Sequence, residues 1–291
     1  MSAAGYETRA GITRRDLLPM AAAALVLSGE PGTAGAALDP PVTDALYNLA
    51  WIPDGTPWQK HIYIISAPWC PVCKRFFNET RDLVSGVQLR WIPAGTFDGK
   101  WRVYNAVLAR SRDIRRLTEL YTTGGIADAH ATQFDSIDLN EGVIFTQSEE
   151  LERLLGEHWG FPTLVYRTGD GTGAFTGIPN DIAKLVETVV SDETQPPDGS
   201  KGSEMLRRTL VQTPIAEHQS AFAKGEVPMF ALPFSDAPQV FAMQDNTDRQ
   251  AFAEYQTDAG RWTAVRFLTR DNLVDGVHAY VPSDRVELRP A

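Results

Sequence analysis

Hydrophobic positions along this chain fall into short blocks whose spacing changes from one stretch to the next. His61-Ile-Tyr-Ile-Ile-Ser66 is a β-branched and aromatic run bounded by Pro and Gly signals, too short for a buried helix, and it predicts a central strand. Val87-Gln-Leu-Arg-Trp-Ile92 predicts the next strand, ended by Pro93 and Gly95. Between them Pro71 fits the first turn of a helix, where its missing N–H has no partner to lose. From Trp101 to Tyr121, Val103, Val107, Leu108, Ile114, Leu117 and Leu120 recur at the three- and four-residue spacing of a helix. Shorter helices are expected over Thr43 to Ala50 and Gln147 to Gly156. Thr163 to Arg167 and Ala174 to Thr176 read as strands joined by a Gly-Asp-Gly turn at 169–171, and Gly177 to Asp181 caps a last amphipathic helix, Ile182 to Val190.

That order of elements predicts an α/β core with helices on a small mixed sheet, over about residues 40–191. Residues 192–203 have almost no apolar side chain and several breakers, so they read as a linker. Beyond it, an Ala-rich helical stretch near 204–224 precedes short strands at Met229 to Leu232, Val240 to Met243, Trp262 to Leu268 and Val277 to Val281. Residues 204–291 are therefore expected to form a small, mainly β domain.

The chain has 291 residues, 43% hydrophobic and 22% charged, with a net charge of −10 and two cysteines. This is ordinary for packed globular structure and long enough for more than one domain. The acidic balance argues against a nucleic-acid partner, because the longest basic cluster is only Arg110, Arg112, Arg115 and Arg116. Residues 1–36 have the charged, apolar and small-residue parts of an export signal: Thr13-Arg-Arg-Asp-Leu-Leu18, Met20 to Leu27, and Ala34-Gly-Ala36. The paired arginines resemble a twin-arginine signal, with Pro19 as a departure. A mature protein in an oxidising periplasm, with no membrane span, follows as the expectation.

In that compartment the spacing of Cys70-Pro71-Val72-Cys73 carries chemistry. At a helix N-terminus the dipole and free N–H groups stabilise a thiolate on the first cysteine, bringing its pKa into the range of roughly 3.5–7.5. Cys70 can then attack a disulfide and Cys73, one turn inside, can resolve the mixed disulfide. Two cysteines do not make a four-cysteine zinc site, so no metal is expected. A purely stabilising bridge across so short a loop would remove little chain entropy.

Ala67-Pro-Trp-Cys-Pro-Val-Cys-Lys74 after a hydrophobic strand resembles the active-site segment of the thioredoxin superfamily, and Gly160-Phe161-Pro162-Thr163 resembles its cis-proline loop. The resemblance implies a thioredoxin-like fold and a catalytic set of Cys70, Cys73 and Pro162. It further implies a Cys70–Cys73 disulfide in the oxidised form, and substrate contacts from Trp69, Phe161 and Thr163. Phe161 would present backbone groups to a substrate strand, as in β-augmentation. About 90 residues separate the cysteine pair from Pro162, and the helical insertion there, at about 100–157, is similar to the periplasmic disulfide-bond oxidoreductases of the Dsb C/G type. That likeness implies protein thiols and disulfides as substrates, a redox-recycling membrane partner and no cofactor. The isomerases of that type carry a long N-terminal dimerisation domain, whereas only about 25 residues lie between the cleavage site read here and the first strand, so a monomer is the expectation. Thioredoxin's buried carboxylate has no counterpart in Ile62 to Ile65, leaving a water, His61 or His158 as proton acceptor. Oxidase, reductase and isomerase all remain open.

Arg261-Trp262 to Leu268 and Gly276 to Leu288, with Ala-Tyr-Val-Pro-Ser at 279–283, resemble the end of a Src-homology-3-like barrel. The resemblance offers Trp262, Tyr280 and Pro282 as ligand contacts, or alternatively as the filling of a small core. A non-enzymatic binding or assembly protein working through this module is the competing reading.

Overall fold

The computed structural model describes residues 41–81, 85–95, 100–127, 147–197, 202, 204, 211–237, 239–266 and 278–291. The leader read at 1–36 and residues 128–146 of the helical insertion lie outside the described residues. Helix α1 (Pro41–Asn48) leads to β1 (Ile52–Asp54), β2 (His61–Ser66), α2 (Pro71–Thr80), β3 (Gln88–Pro93), α3 (Lys100–Ser111) and α4 (Ile114–Thr123). Residues 147–155 are helical and form α5. The hairpin β4 (Thr163–Thr168) and β5 (Gly171–Thr176) follows, then α6 (Ile182–Thr188).

These strands form one mixed sheet in the order β1-β3-β2-β4-β5, in which β2 and β3 are parallel and the other neighbours antiparallel. Every residue of β2 and β3 is buried, because helices cover both faces. Alternate residues of β2 serve the two layers. Ile62 and Ile64 pack with Phe76, Phe77, Leu117, Leu120 and Leu185, while Tyr63 and Ile65 pack with Val42, Leu46, Leu151 and Leu155. The continuous apolar run in the sequence is thus two interleaved half-patterns.

The single helix expected over Trp101 to Tyr121 is two helices. Arg112 turns the chain at φ 51, and Asp113 caps α4 by accepting the Arg115 N–H at 2.9 Å. Apolar spacing runs through the break because both helices face one core. Arg112 also ties the bend inward, donating to the carbonyls of Trp51 at 3.1 Å and Pro197 at 2.8 Å.

The connector beginning at residue 192 is anchored rather than free at the positions described. Asp192 is buried and accepts from Arg167 at 2.7 Å. Gln195 is buried among His61, Tyr63 and Asp44. Its carbonyl accepts at 2.6 Å from Arg90, a fully buried guanidinium stacked over Trp51 at 4.6 Å and bonded to Gln88 and Tyr63. The polar composition that reads as a linker is in part a buried hydrogen-bond network.

Beyond it lie β6 (Val211–Ala223), β7 (Val227–Phe230), β8 (Gln239–Met243), β9 (Asp248–Thr257), β10 (Gly260–Arg266), β11 (His278–Pro282) and β12 (Val286–Pro290). They pair antiparallel in the order β12-β6-β9-β10-β11-β7-β8. The helix expected near 204–224 is overturned from Val211 onward. Ala221 and Ala223 are buried on either side of a partly exposed Phe222, a period of two, and β6 is paired on both edges, which overrides alanine's helix preference. Val286 of one edge strand and Met243 of the other share a cluster with central Val265, so the sheet curls into a half-barrel. A second cluster holds Trp262, Tyr255 and Tyr280 with Leu232 and Phe234 of the β7–β8 loop, and with Ala50 and Ala109 of the α/β unit.

Candidate active site

The site is built where β2 runs out. The chain turns after Ser66 so that the Cys70 N–H donates to the Ala67 carbonyl at 3.1 Å, and α2 starts with Pro71 in its first turn. Cys70 is the N-cap, in extended conformation, and its sulfur accepts the Cys73 N–H at 3.2 Å. Both cysteines are buried and unbridged, Cys70 at 9% exposure and Cys73 at 0%.

This arrangement separates the two thiols chemically. The Cys73 side chain, donating to Cys70, is the largest influence lowering the Cys70 pKa to about 7; the N–H groups of Cys73 and Val72 add to it and burial opposes it. Burial pushes the Cys73 thiol well above its ordinary range, and the neighbouring Cys70 pushes it further. The two sulfurs therefore differ in acidity, Cys70 ionising near neutral pH and Cys73 staying a thiol there.

Across the pair lies the loop ahead of β4. The Phe161–Pro162 peptide is cis, and the Cys70 thiol donates to the Phe161 carbonyl at 3.4 Å. Pro162 is buried, and its carbonyl accepts from the Gly177 N–H at 2.8 Å. Trp69 meets the Phe161 ring edge-on at 6.1 Å between centroids, and Trp159 meets it from another side at 5.1 Å. Trp69 and Phe161 are partly exposed. Thr163 is fully buried, its hydroxyl within 2.8 Å of the His158 carbonyl, 3.0 Å of the Gly160 carbonyl and 3.1 Å of the Thr176 hydroxyl. That side chain is committed to shaping the loop.

His61 stands at the opposite end of β2 from the cysteines, roughly 17 Å along the strand at a strand's rise per residue, with its ring nitrogens at Trp58 O and Gln195 Oε1. Distance removes it as their proton acceptor. His158 contributes its carbonyl to the loop, and its Nε2 is buried without a hydrogen-bond partner. Next to Cys73 stands Tyr121, whose hydroxyl donates to the Ala67 carbonyl at 3.4 Å. Burial first, then Cys73, push that phenol well above its ordinary range, so it stays neutral and cannot act as a base. Sequence reasoning also missed Gly95, Asn105 and Ser148, which meet beside Trp69. Only Gly95 left a trace in the sequence, as a strand terminator.

The aromatics offered as ligand contacts in the C-terminal module are core residues. Trp262 is 3% exposed and packs edge-on against Phe230 at 5.4 Å, and Tyr280 is fully buried against Tyr255 at 5.6 Å. Pro282 alone of the three is partly exposed.

No protein-family model matches the chain, and no curated protein matches it. Among solved structures it is similar to the thiol-disulfide exchange protein alpha-DsbA2 from Wolbachia pipientis, at 19% identity and a TM-score of 0.37, over 50% of this chain and 90% of that one. It is also similar to the antimicrobial peptidase lysostaphin from Staphylococcus simulans, at 11% identity and a TM-score of 0.22, over 42% of this chain and 56% of that one.

Proposed function

We propose that the chain is a thiol–disulfide oxidoreductase acting on protein disulfides through Cys70 and Cys73. The observation that carries this reading is the unequal pair itself: a cap cysteine lowered to about 7 in front of a buried partner thiol, faced by the Phe161–Pro162 loop. The Cys70 thiolate attacks one sulfur of a substrate disulfide; that bond breaks and the departing substrate thiolate takes up a proton. Cys73 gives up its proton and attacks the Cys70 sulfur of the mixed disulfide, releasing the second substrate thiolate. The substrate gains two electrons and two protons, and the chain is left with a Cys70–Cys73 disulfide. The reverse sequence oxidises a substrate dithiol. No cofactor is needed, because the dithiol itself carries the electrons.

Of the three residues expected to contact substrate, Trp69 and Phe161 are partly exposed and can meet it, Pro162 sets the backbone between them and the pair, and Thr163 holds the loop from within. Residues 40–191 form the thioredoxin-like redox domain in this reading, and 204–291 a β module akin to a Src-homology-3 barrel. Export by the twin-arginine-type leader would place a monomer in the periplasm among protein thiols, with a membrane partner recycling the pair. Among the described residues no helix is long and apolar enough to cross a membrane. A binding role for the module has less support, since Trp262 and Tyr280 are buried. The test is insulin-disulfide turnover in a glutathione buffer: the wild type turns over and Cys70→Ser does not. Equal rates in the two proteins would remove the dithiol from the function.

A further inference from the structure

Directly after β3 the chain passes beside the Trp69–Phe161 contact. Gly95 there has φ +85, and a Cβ on it would lie 2.4 and 2.8 Å from Cη2 and Cζ2 of Trp69 and 3.2 Å from Cζ of Phe161. Backbone conformation and space both demand glycine. The peptide is also gripped from two sides. Its N–H donates to Ser148 Oγ at 2.8 Å, and its carbonyl accepts from Asn105 Nδ2 at 3.0 Å, which reaches the Ala94 carbonyl as well at 3.2 Å. Ser148 and Asn105 are 6% and 1% exposed, and they come from α5 and α3, within the chain that separates the cysteine pair from Pro162.

We propose that Gly95, held by Asn105 and Ser148, is a positioning residue for the redox pair, setting the space into which Trp69 and Phe161 fit and so the distance between the Phe161 carbonyl and the Cys70 sulfur. The inference rests on the dithiol reading above and gives the helical insertion a part in it. The Cys70 thiol donates to the Phe161 carbonyl, whereas a thiolate in the same place faces an oxygen lone pair. Moving Phe161 away removes that opposition, and loosening the aromatic cover admits water to a buried sulfur. Both changes favour the charged form. Disturbing the clamp therefore makes Cys70 more acidic, which a loss of general packing elsewhere would not do.

The experiment measures the pH midpoint of Cys70 alkylation by iodoacetamide in the full chain, for wild type, Gly95→Ala, Trp69→Phe and the double variant. Phenylalanine ends before the two indole atoms that the added methyl strikes, so the cycle isolates the Trp69 contact from backbone strain, which is common to both backgrounds. Gly95→Ala is expected to lower the midpoint by about half a pH unit or more, roughly threefold in the thiolate-to-thiol ratio, and to shift it far less when Phe occupies position 69. Ser148→Ala adds no atom and is expected to shift the midpoint the same way by less, with Ser148→Thr restoring the wild-type value. This pair carries the test if Gly95→Ala does not fold. A low wild-type midpoint left unmoved by Ser148→Ala or by folded Gly95→Ala overturns the positioning role and leaves the dithiol reading standing. A wild-type midpoint near the ordinary cysteine value of about 8.5 overturns the dithiol reading itself.

Discussion

Removing the Cys73 side chain tests why Cys70 is acidic. The largest influence on Cys70 is the hydrogen bond donated by the Cys73 side chain, and the backbone N–H of Cys73 at 3.2 Å is untouched by substitution. A hydrogen bond to a charged group contributes about 1.5–3 kcal/mol, and a thiol is a weak donor, so the lower end applies: about one pH unit. At pH 7 the thiolate fraction of Cys70 then falls from about half to about a tenth in Cys73→Ala, a decrease of roughly fivefold in alkylation rate. Cys73→Ser keeps a hydroxyl donor in the same place and is expected to stay within about twofold of the starting thiolate fraction. Each variant has one cysteine, so iodoacetamide incorporation followed by mass spectrometry reports Cys70 alone. The sign extends to stability. A lowered thiol pKa stabilises the reduced fold above the unfolded value of about 8.5, and that gain is lost as pH falls through about 7. Equal alkylation rates in Cys73→Ala and Cys73→Ser would refute the side-chain origin of the shift and leave the backbone groups as its cause.

Two further outcomes follow from the rest of the molecule. Burial, and then the Arg90 charge, lower the His61 pKa to about 4, so the unfolded chain protonates first; this contribution is intact above about pH 6.5 and lost on the way down to about 4. By pH 4.5 the loss amounts to about 2.5 kcal/mol, and urea melts at pH 7 and 4.5 should show it in wild type and not in His61→Gln; equal pH sensitivity in the two proteins would exclude His61 as its source. Phe234, 2% exposed between the half-barrel and Ala50 and Ala109, should cost about 3–5 kcal/mol when changed to Ala, read as a drop in the unfolding midpoint, and a change below about 1 kcal/mol would mean the loop is not part of the core.

What the sequence revealed of this chain followed from local chemistry. The α/β order, the helix opened by Pro71 and the loop containing Phe161 and Pro162 rest on residues with strong local preferences, and the structure has elements at each. Errors arose where tertiary pairing overrides such preferences. Alanines 221 and 223 read as helix formers but alternate on a doubly paired strand, and the same pattern hides β9, whose inward residues are Ala251, Ala253, Tyr255 and Thr257. The break at Arg112 is silent because apolar spacing continues across it. At the site, the cysteines were legible from their spacing. Asn105 and Ser148 were not, because a buried amide and hydroxyl bonded to a distant glycine look in sequence like ordinary helix surface. Arg90 was equally hidden, a guanidinium inside a hydrophobic strand whose partners lie up to 105 positions away.

The reduction potential of the Cys70–Cys73 pair, measured by equilibration against glutathione with alkylation trapping, reaches the central claim most directly. A pair in which the reduced state gains from a stabilised Cys70 thiolate should fall within the span of catalytic dithiols, about −120 to −270 mV. A value below about −300 mV, the range of structural disulfides, would contradict the claim that this pair exchanges electrons with other proteins.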